Sequence, residues 1–84
     1  MEVLISPNPV INGIVKISAP SLKAGQYELS IITSTGLKIL SKSVYATTYG
    51  ISEYLRLPNN ITKATYYVQI TGGETSIDKI FVVD

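Results

Sequence analysis

Between Gln26 and Thr33 the chain alternates, with Tyr27, Leu29 and Ile31 apolar and Gln26, Glu28 and Ser30 polar. A strand sends successive side chains to opposite faces, so a period of two predicts a half-buried β-strand with the first three residues inward. Tyr66, Val68 and Ile70 alternate with Tyr67, Gln69 and Thr71 in the same way. The predicted core is accordingly Tyr27, Leu29, Ile31, Ile39, Tyr66, Val68 and Ile70. From Leu37 to Tyr45 the apolar face changes partway: Leu37 and Ile39 share one side, Leu40 and Val44 the other, together with Lys38 and Lys42. One extra residue in a strand produces such a switch, which places a β-bulge near Leu40 to Lys42. In Ile51 to Leu57 the facing is ambiguous, because Ile51, Glu53 and Leu55 oppose Ser52, Tyr54 and Arg56.

Turn residues separate these runs. Val3 to Ser6 stops at Pro7-Asn8-Pro9, where two rings fix φ and remove two backbone donors, so the tripeptide is a corner. Gly13 to Ser18 alternates weakly and closes at Pro20. Ser34-Thr35-Gly36 reads as a short hairpin loop, with Gly36 supplying its left-handed residue. Ala46 to Gly50 is a connection, and Pro58 to Lys63 is the most turn-rich stretch. Gly72-Gly73 is a two-residue hairpin signal leading into Glu74 to Val83, which pairs with the strand before it.

Twenty-seven of 84 residues are Ile, Val or Thr, and six are Tyr, which is strand composition. No stretch keeps apolar residues at helical spacing without a Gly, Pro or β-branched cluster intervening, so no long helix is expected. Residues 1–84 therefore read as one all-β domain: seven short strands with turns every eight to twelve residues, arranged as an antiparallel β-sandwich of immunoglobulin-like type. An open barrel is the runner-up.

The chain contains no His and no Cys, which excludes thiol chemistry, imidazole or thiolate metal sites and His-based proton relays. Seven basic against six acidic residues leave no charge footprint for nucleic acid or an anionic membrane. Glu28, Glu53 and Asp78 fall at outward or ambiguous strand positions rather than in a cleft, so no acid/base pair is read. No catalytic residue, cofactor, metal or small-molecule substrate is expected. Asn60-Ile61-Thr62 matches a glycosylation sequon and is read as a turn. Tyr27 and Tyr66 are assigned to the core, where each hydroxyl needs a backbone partner. Tyr45, Tyr49, Tyr54 and Tyr67 lie at strand ends or on outer faces, where a contiguous row would serve as a sugar- or protein-binding strip.

Three segments, in this order, carry a resemblance. The first is Pro7-Asn8-Pro9-Val10 with Gly13. The second is Gly25-Gln26-Tyr27 and its strand to Ile31, then the hairpin glycine Gly36 before Leu37 to Leu40. The third is Leu57-Pro58, then Tyr66 to Ile70, Gly72-Gly73, and Lys79-Ile80-Phe81-Val82-Val83. With these motifs, covering about Ser6 to Val83, the chain resembles the type A C-terminal sorting domain of the type IX secretion system of Bacteroidetes. It departs from that pattern in the insertion Asn59 to Thr62, in Ala64 where the family has Gly, and in Asp78 where a basic residue commonly precedes Lys79. The resemblance implies a secretion signal fused behind an N-terminal passenger domain. Such a signal carries its cargo through the periplasm and across the outer membrane to the cell surface or the medium. The implied partners are the outer-membrane translocon, its shuttle protein and a surface sortase-type peptidase. The implied recognition residues are Pro7, Asn8, Pro9, Gly25, Tyr27, Gly36, Gly72, Gly73, Lys79, Ile80, Phe81, Val82 and Val83. Met1 to Ile5 has neither a basic region nor a full apolar core of a leader, as expected of a domain excised from behind a passenger. The alternative is an immunoglobulin-like adhesion or carbohydrate-binding module that uses the tyrosines or the loops.

Overall fold

The structure, a computed structural model, describes residues 2–84, so Met1, where the leader reading begins, lies outside it. Seven strands follow in chain order: β1 Leu4–Ser6, β2 Ile14–Ala19, β3 Gly25–Thr33, β4 Lys38–Ala46, β5 Ile51–Arg56, β6 Ala64–Gly72 and β7 Thr75–Val83. They form two antiparallel sheets, β1-β2-β5 and β4-β3-β6-β7. This is the immunoglobulin-like sandwich expected from the turn spacing, with the fourth strand placed beside the third.

One apolar cluster lies between the sheets, and every strand contributes to it: Ile5 from β1, Val15 and Ile17 from β2, Leu29 and Ile31 from β3, Val44 from β4, Leu55 from β5, Val68 and Ile70 from β6, and Phe81 from β7. Six of the seven predicted core residues are buried. Ile39 is only partly so. The reason is the bulge: Ile31 pairs with Leu40 but Ile32 pairs with Lys38, so Ile39 is the extra residue in the ladder. The irregularity thus falls one residue before the predicted Leu40 to Lys42, and Leu40 and Val44 take the inner face beyond it. In β5 the ambiguity resolves with Ile51 and Leu55 inward. Glu53, on the same side, reaches the sandwich edge and pairs with Lys42 of β4 at 2.7 Å.

The two core tyrosines satisfy their hydroxyls in one manner. Tyr27 donates to the Lys23 carbonyl and Tyr66 to the Thr62 carbonyl, both at 2.8 Å and both four residues upstream. Each pins the loop that enters its strand, like the tyrosine corner of immunoglobulin-like sandwiches. Ser34-Thr35-Gly36 forms the predicted loop, closed by Gly36 N–H on the Thr33 carbonyl. At the last hairpin Gly72 still pairs with Thr75, so the turn residues are Gly73 and Glu74, one position later than predicted. Gly73 has φ +55° and Glu74 a negative φ, the pattern of a type II′ turn.

Candidate functional site

The Pro7-Asn8-Pro9 corner folds back along the last strand. Both X–Pro bonds in it are cis. Asn8 Oδ1 accepts the Val82 N–H at 3.1 Å, Val10 N–H donates to the Val82 carbonyl at 2.8 Å, and Asp84 N–H donates to the Val10 carbonyl at 2.9 Å. Val10 thereby forms a parallel bridge with Val83 and is fully buried. Two prolines without N–H donors can be spared here because the contact needs only one acceptor from Asn8 and the two backbone groups of Val10. The corner of the first motif and the end of the third, more than 70 residues apart in sequence, are one hydrogen-bonded unit.

At this end of the sandwich a shallow hollow is lined by Val10, Gly13, Leu57, Pro58, Val83 and their neighbours. Leu57 N–H donates to the Gly13 carbonyl at 2.7 Å, which fastens the Leu-Pro segment to the first motif. Arg56, Lys63 and Asp84 stand on the same rim, and among the described residues none of the three is in an ion pair.

The opposite end gathers the glycines. Gly25, Tyr27, Gly72 and Gly73 line a second hollow. A Cβ on Gly72 would lie 2.5 Å from Tyr27 Cδ1 and 2.6 Å from the Gln26 carbonyl oxygen, so a side chain here requires the ring and the β3 backbone to shift. The glycine role at Gly72 is close packing against the Tyr27 ring, and the turn conformation belongs to Gly73 alone.

β7 connects the two ends. Phe81 and Val83 are buried, whereas Lys79, Ile80 and Val82 are exposed. Lys79 is opposite Val68, on the inward set of side chains, but at the sheet edge where its ammonium reaches solvent. Of the sequence-predicted recognition residues, Pro7, Asn8, Pro9, Phe81, Val82 and Val83 form the first cluster, and Gly25, Tyr27, Gly72 and Gly73 the second. Lys79 and Ile80 lie on the strand between. Gly36 sits apart from both, in the β3–β4 loop beside Tyr67 on the outer face of the larger sheet. Val10 and Leu57 carry more of the first cluster than the isolated motifs suggested. The signal for Val10 was present, an apolar residue directly after the corner, but its parallel partner is invisible to a local pattern.

The tyrosines do not form a strip. Tyr45 alternates with buried Val44 and Ala46 and so faces out from the four-stranded sheet, while Tyr54 faces out from the three-stranded one on the opposite side of the molecule. Tyr54 carries the Lys16 ammonium 5.7 Å from its ring centroid, and Tyr49 stands alone in the β4–β5 loop. Tyr67 is half-buried between Ile32 and Ile80.

Glu28, on the outer face of the larger sheet, is electrostatically distinct. Hydrogen bonds from Ser41 and from Lys38, the latter at 3.2 Å, and the Lys38 charge hold its carboxyl below the usual carboxylate range. Among the described residues no three His, Cys, Asp or Glu side chains gather as a metal site. Among the described residues no helix is long and apolar enough to cross a membrane. No family model and no curated protein matches the chain.

Proposed function

We propose that the chain is a C-terminal sorting domain of the type IX secretion kind, a folded address that takes a fused N-terminal passenger from the periplasm across the outer membrane. The observation that carries this reading is the clamp of Pro7-Asn8-Pro9-Val10 on Val82 to Asp84. The first motif and the end of the third, through which the chain resembles that family, are hydrogen-bonded to each other at one end of the edge strand β7. A translocon or its shuttle protein would then read the first cluster, with Lys79 and Ile80 as the exposed part of the strand. The role needs no catalytic group. Release or surface attachment of the passenger falls to a separate sortase-type peptidase. The adhesion or carbohydrate-binding alternative draws no support from the aromatics, because Tyr45 and Tyr54 lie on opposite faces.

The experiment fuses the chain behind a periplasmically exported reporter in a host with type IX machinery. The intact fusion is expected at the cell surface or in the medium, and a deletion of Lys79 to Asp84 in the periplasm. Lys79→Ala, with an unchanged melting temperature, is expected to lower export. If the intact fusion stays in the periplasm while an established sorting domain exports the same reporter, the reading is wrong. Normal export of folded Lys79→Ala removes only that lysine from the recognition surface.

A further inference from the structure

The chain has four asparagines, all exposed, and the residue after each decides what its carboxamide can undergo. Asparagine is thermolabile because the backbone nitrogen of the next residue attacks its carboxamide wherever that nitrogen can lose a proton and is not crowded. Asn8 precedes Pro9, whose nitrogen carries no proton, and its Oδ1 is held by the Val82 N–H at 3.1 Å. Asn60 precedes β-branched Ile61, whose N–H donates to the Pro58 carbonyl at 3.1 Å. Asn59 precedes Asn60, whose own side chain flanks the nitrogen. Asn12 precedes Gly13, which has no Cβ to crowd it. Among the described residues neither the Asn12 carboxamide nor the Gly13 N–H has a hydrogen-bond partner. Around the place a Gly13 Cβ would occupy, nothing beyond the chain neighbours stands within 4 Å.

We propose that Asn12-Gly13 is a self-modification site, at which the folded chain converts Asn12 to aspartate and isoaspartate with water as the co-reactant. The Gly13 nitrogen gives its proton to solvent and its electron pair to Asn12 Cγ. The new N–C bond closes a succinimide, and the carboxamide C–N bond breaks to release ammonia. Water then adds to one of the two ring carbonyls and cleaves its bond to the Gly13 nitrogen, which takes up a proton. Opening at Cγ restores the normal backbone with an aspartate side chain. Opening at the main-chain carbonyl leaves the backbone running through the side chain, which is isoaspartate and one atom longer.

The fold gives both products a consequence. Asn12 shares a rim with Arg56, Lys63 and Asp84, so either product sets a new carboxylate on that hollow and cancels the formal net charge of +1. Ile11 and Asn12 also bridge two fixed points. The Val10 carbonyl is held by the Asp84 N–H at 2.9 Å, and the Gly13 carbonyl by the Leu57 N–H at 2.7 Å. Aspartate keeps the backbone length between them, whereas the extra atom of isoaspartate bows the loop outward or loosens one of the two bonds. The inference does not depend on the sorting reading.

The test holds folded chain at mildly alkaline pH beside a urea-unfolded sample and follows ammonia, isoaspartate and the peptide map by mass spectrometry. Asn12 should convert at least about tenfold faster than Asn59 or Asn60, and no more than about tenfold slower than in urea, since its loop is open without unfolding. Asn12→Gln should lose the fast ammonia release. Asn12→Asp carries the charge on a normal backbone, and the isoaspartate form, separated by chromatography, should melt below it. A smaller margin over Asn59 or Asn60, a greater protection relative to urea, or fast ammonia release from Asn12→Gln overturns the site. An isoaspartate form that melts with Asn12→Asp overturns the effect on the two anchors.

Discussion

Gly72→Ala tests whether the glycine end of the molecule is as tightly built as it looks. The backbone of Gly72 is not in the left-handed region, so alanine is conformationally allowed there and the cost is steric. The added methyl would meet Tyr27 Cδ1 at 2.5 Å, Tyr27 Cε1 at 3.1 Å and the Gln26 carbonyl oxygen at 2.6 Å. Neither neighbour yields easily, because the ring is held by its hydroxyl on the Lys23 carbonyl and the oxygen belongs to the β3 backbone. Overpacking costs about 1–3 kcal/mol, and a backbone contact this short belongs at the upper end. Replacing glycine also lowers the entropy of the unfolded chain, which offsets about 0.4–1 kcal/mol. The net expectation is a loss of about 2 kcal/mol, a fall in Tm on the order of 10 °C for a domain of this size. Urea and thermal melts followed by circular dichroism measure it. In a Tyr27→Leu background the same change should cost less, since part of the clash has been removed, and a double-mutant cycle isolates that coupling. A Gly72→Ala protein that melts at or above the parent would refute the close approach of β6 to Tyr27.

Asn8→Ala should cost about 1 kcal/mol by removing the acceptor for the Val82 N–H, whereas Asn8→Asp, which keeps an oxygen there, should stay near the parent; equal losses would show that the contact is not that hydrogen bond. Val68→Ala, in the middle of the core, should cost about 2 kcal/mol in a urea titration, and a change within error would mean that its face is misassigned. Tyr66→Phe should cost about 1 kcal/mol through loss of the bond to the Thr62 carbonyl, with the fold retained by dichroism. Glu28 has a folded-state pKa below its unfolded value, so its contribution to stability is present above the unfolded pKa of about 4.5 and is lost as pH falls through the lower folded value. Glu28→Gln should therefore flatten the acid limb of the stability–pH curve, and an unchanged limb would locate the acid sensitivity elsewhere.

The local pattern was enough for the strands. Period-two alternation from Gln26 to Thr33 and from Tyr66 to Thr71 determined which side of β3 and β6 is buried, because a strand has only two faces and one must leave water. The β-branched composition and the turn residues determined the all-β class and the number of elements. Tyr27 and Tyr66 were legible as core residues needing a hydroxyl partner, and the partners proved to be local, four residues upstream. The position of the bulge was legible only to within a residue, since Leu40 and Val44 reveal that the face has switched but not which residue is unpaired. What remained was non-local. The clamp between Asn8 and Val82 and the Gly72 packing on Tyr27 join segments far apart in sequence, the Lys42–Glu53 pair joins consecutive strands in different sheets, and no period along one strand encodes a partner on another. Gly72 and Gly73 look alike in the sequence. Tertiary structure separates them, one kept small by the ring and backbone packed against it and the other selected by a positive φ. The same holds for the surface tyrosines: alternation marks Tyr45 and Tyr54 as outward, but only the assignment of β4 and β5 to different sheets sends them to opposite faces.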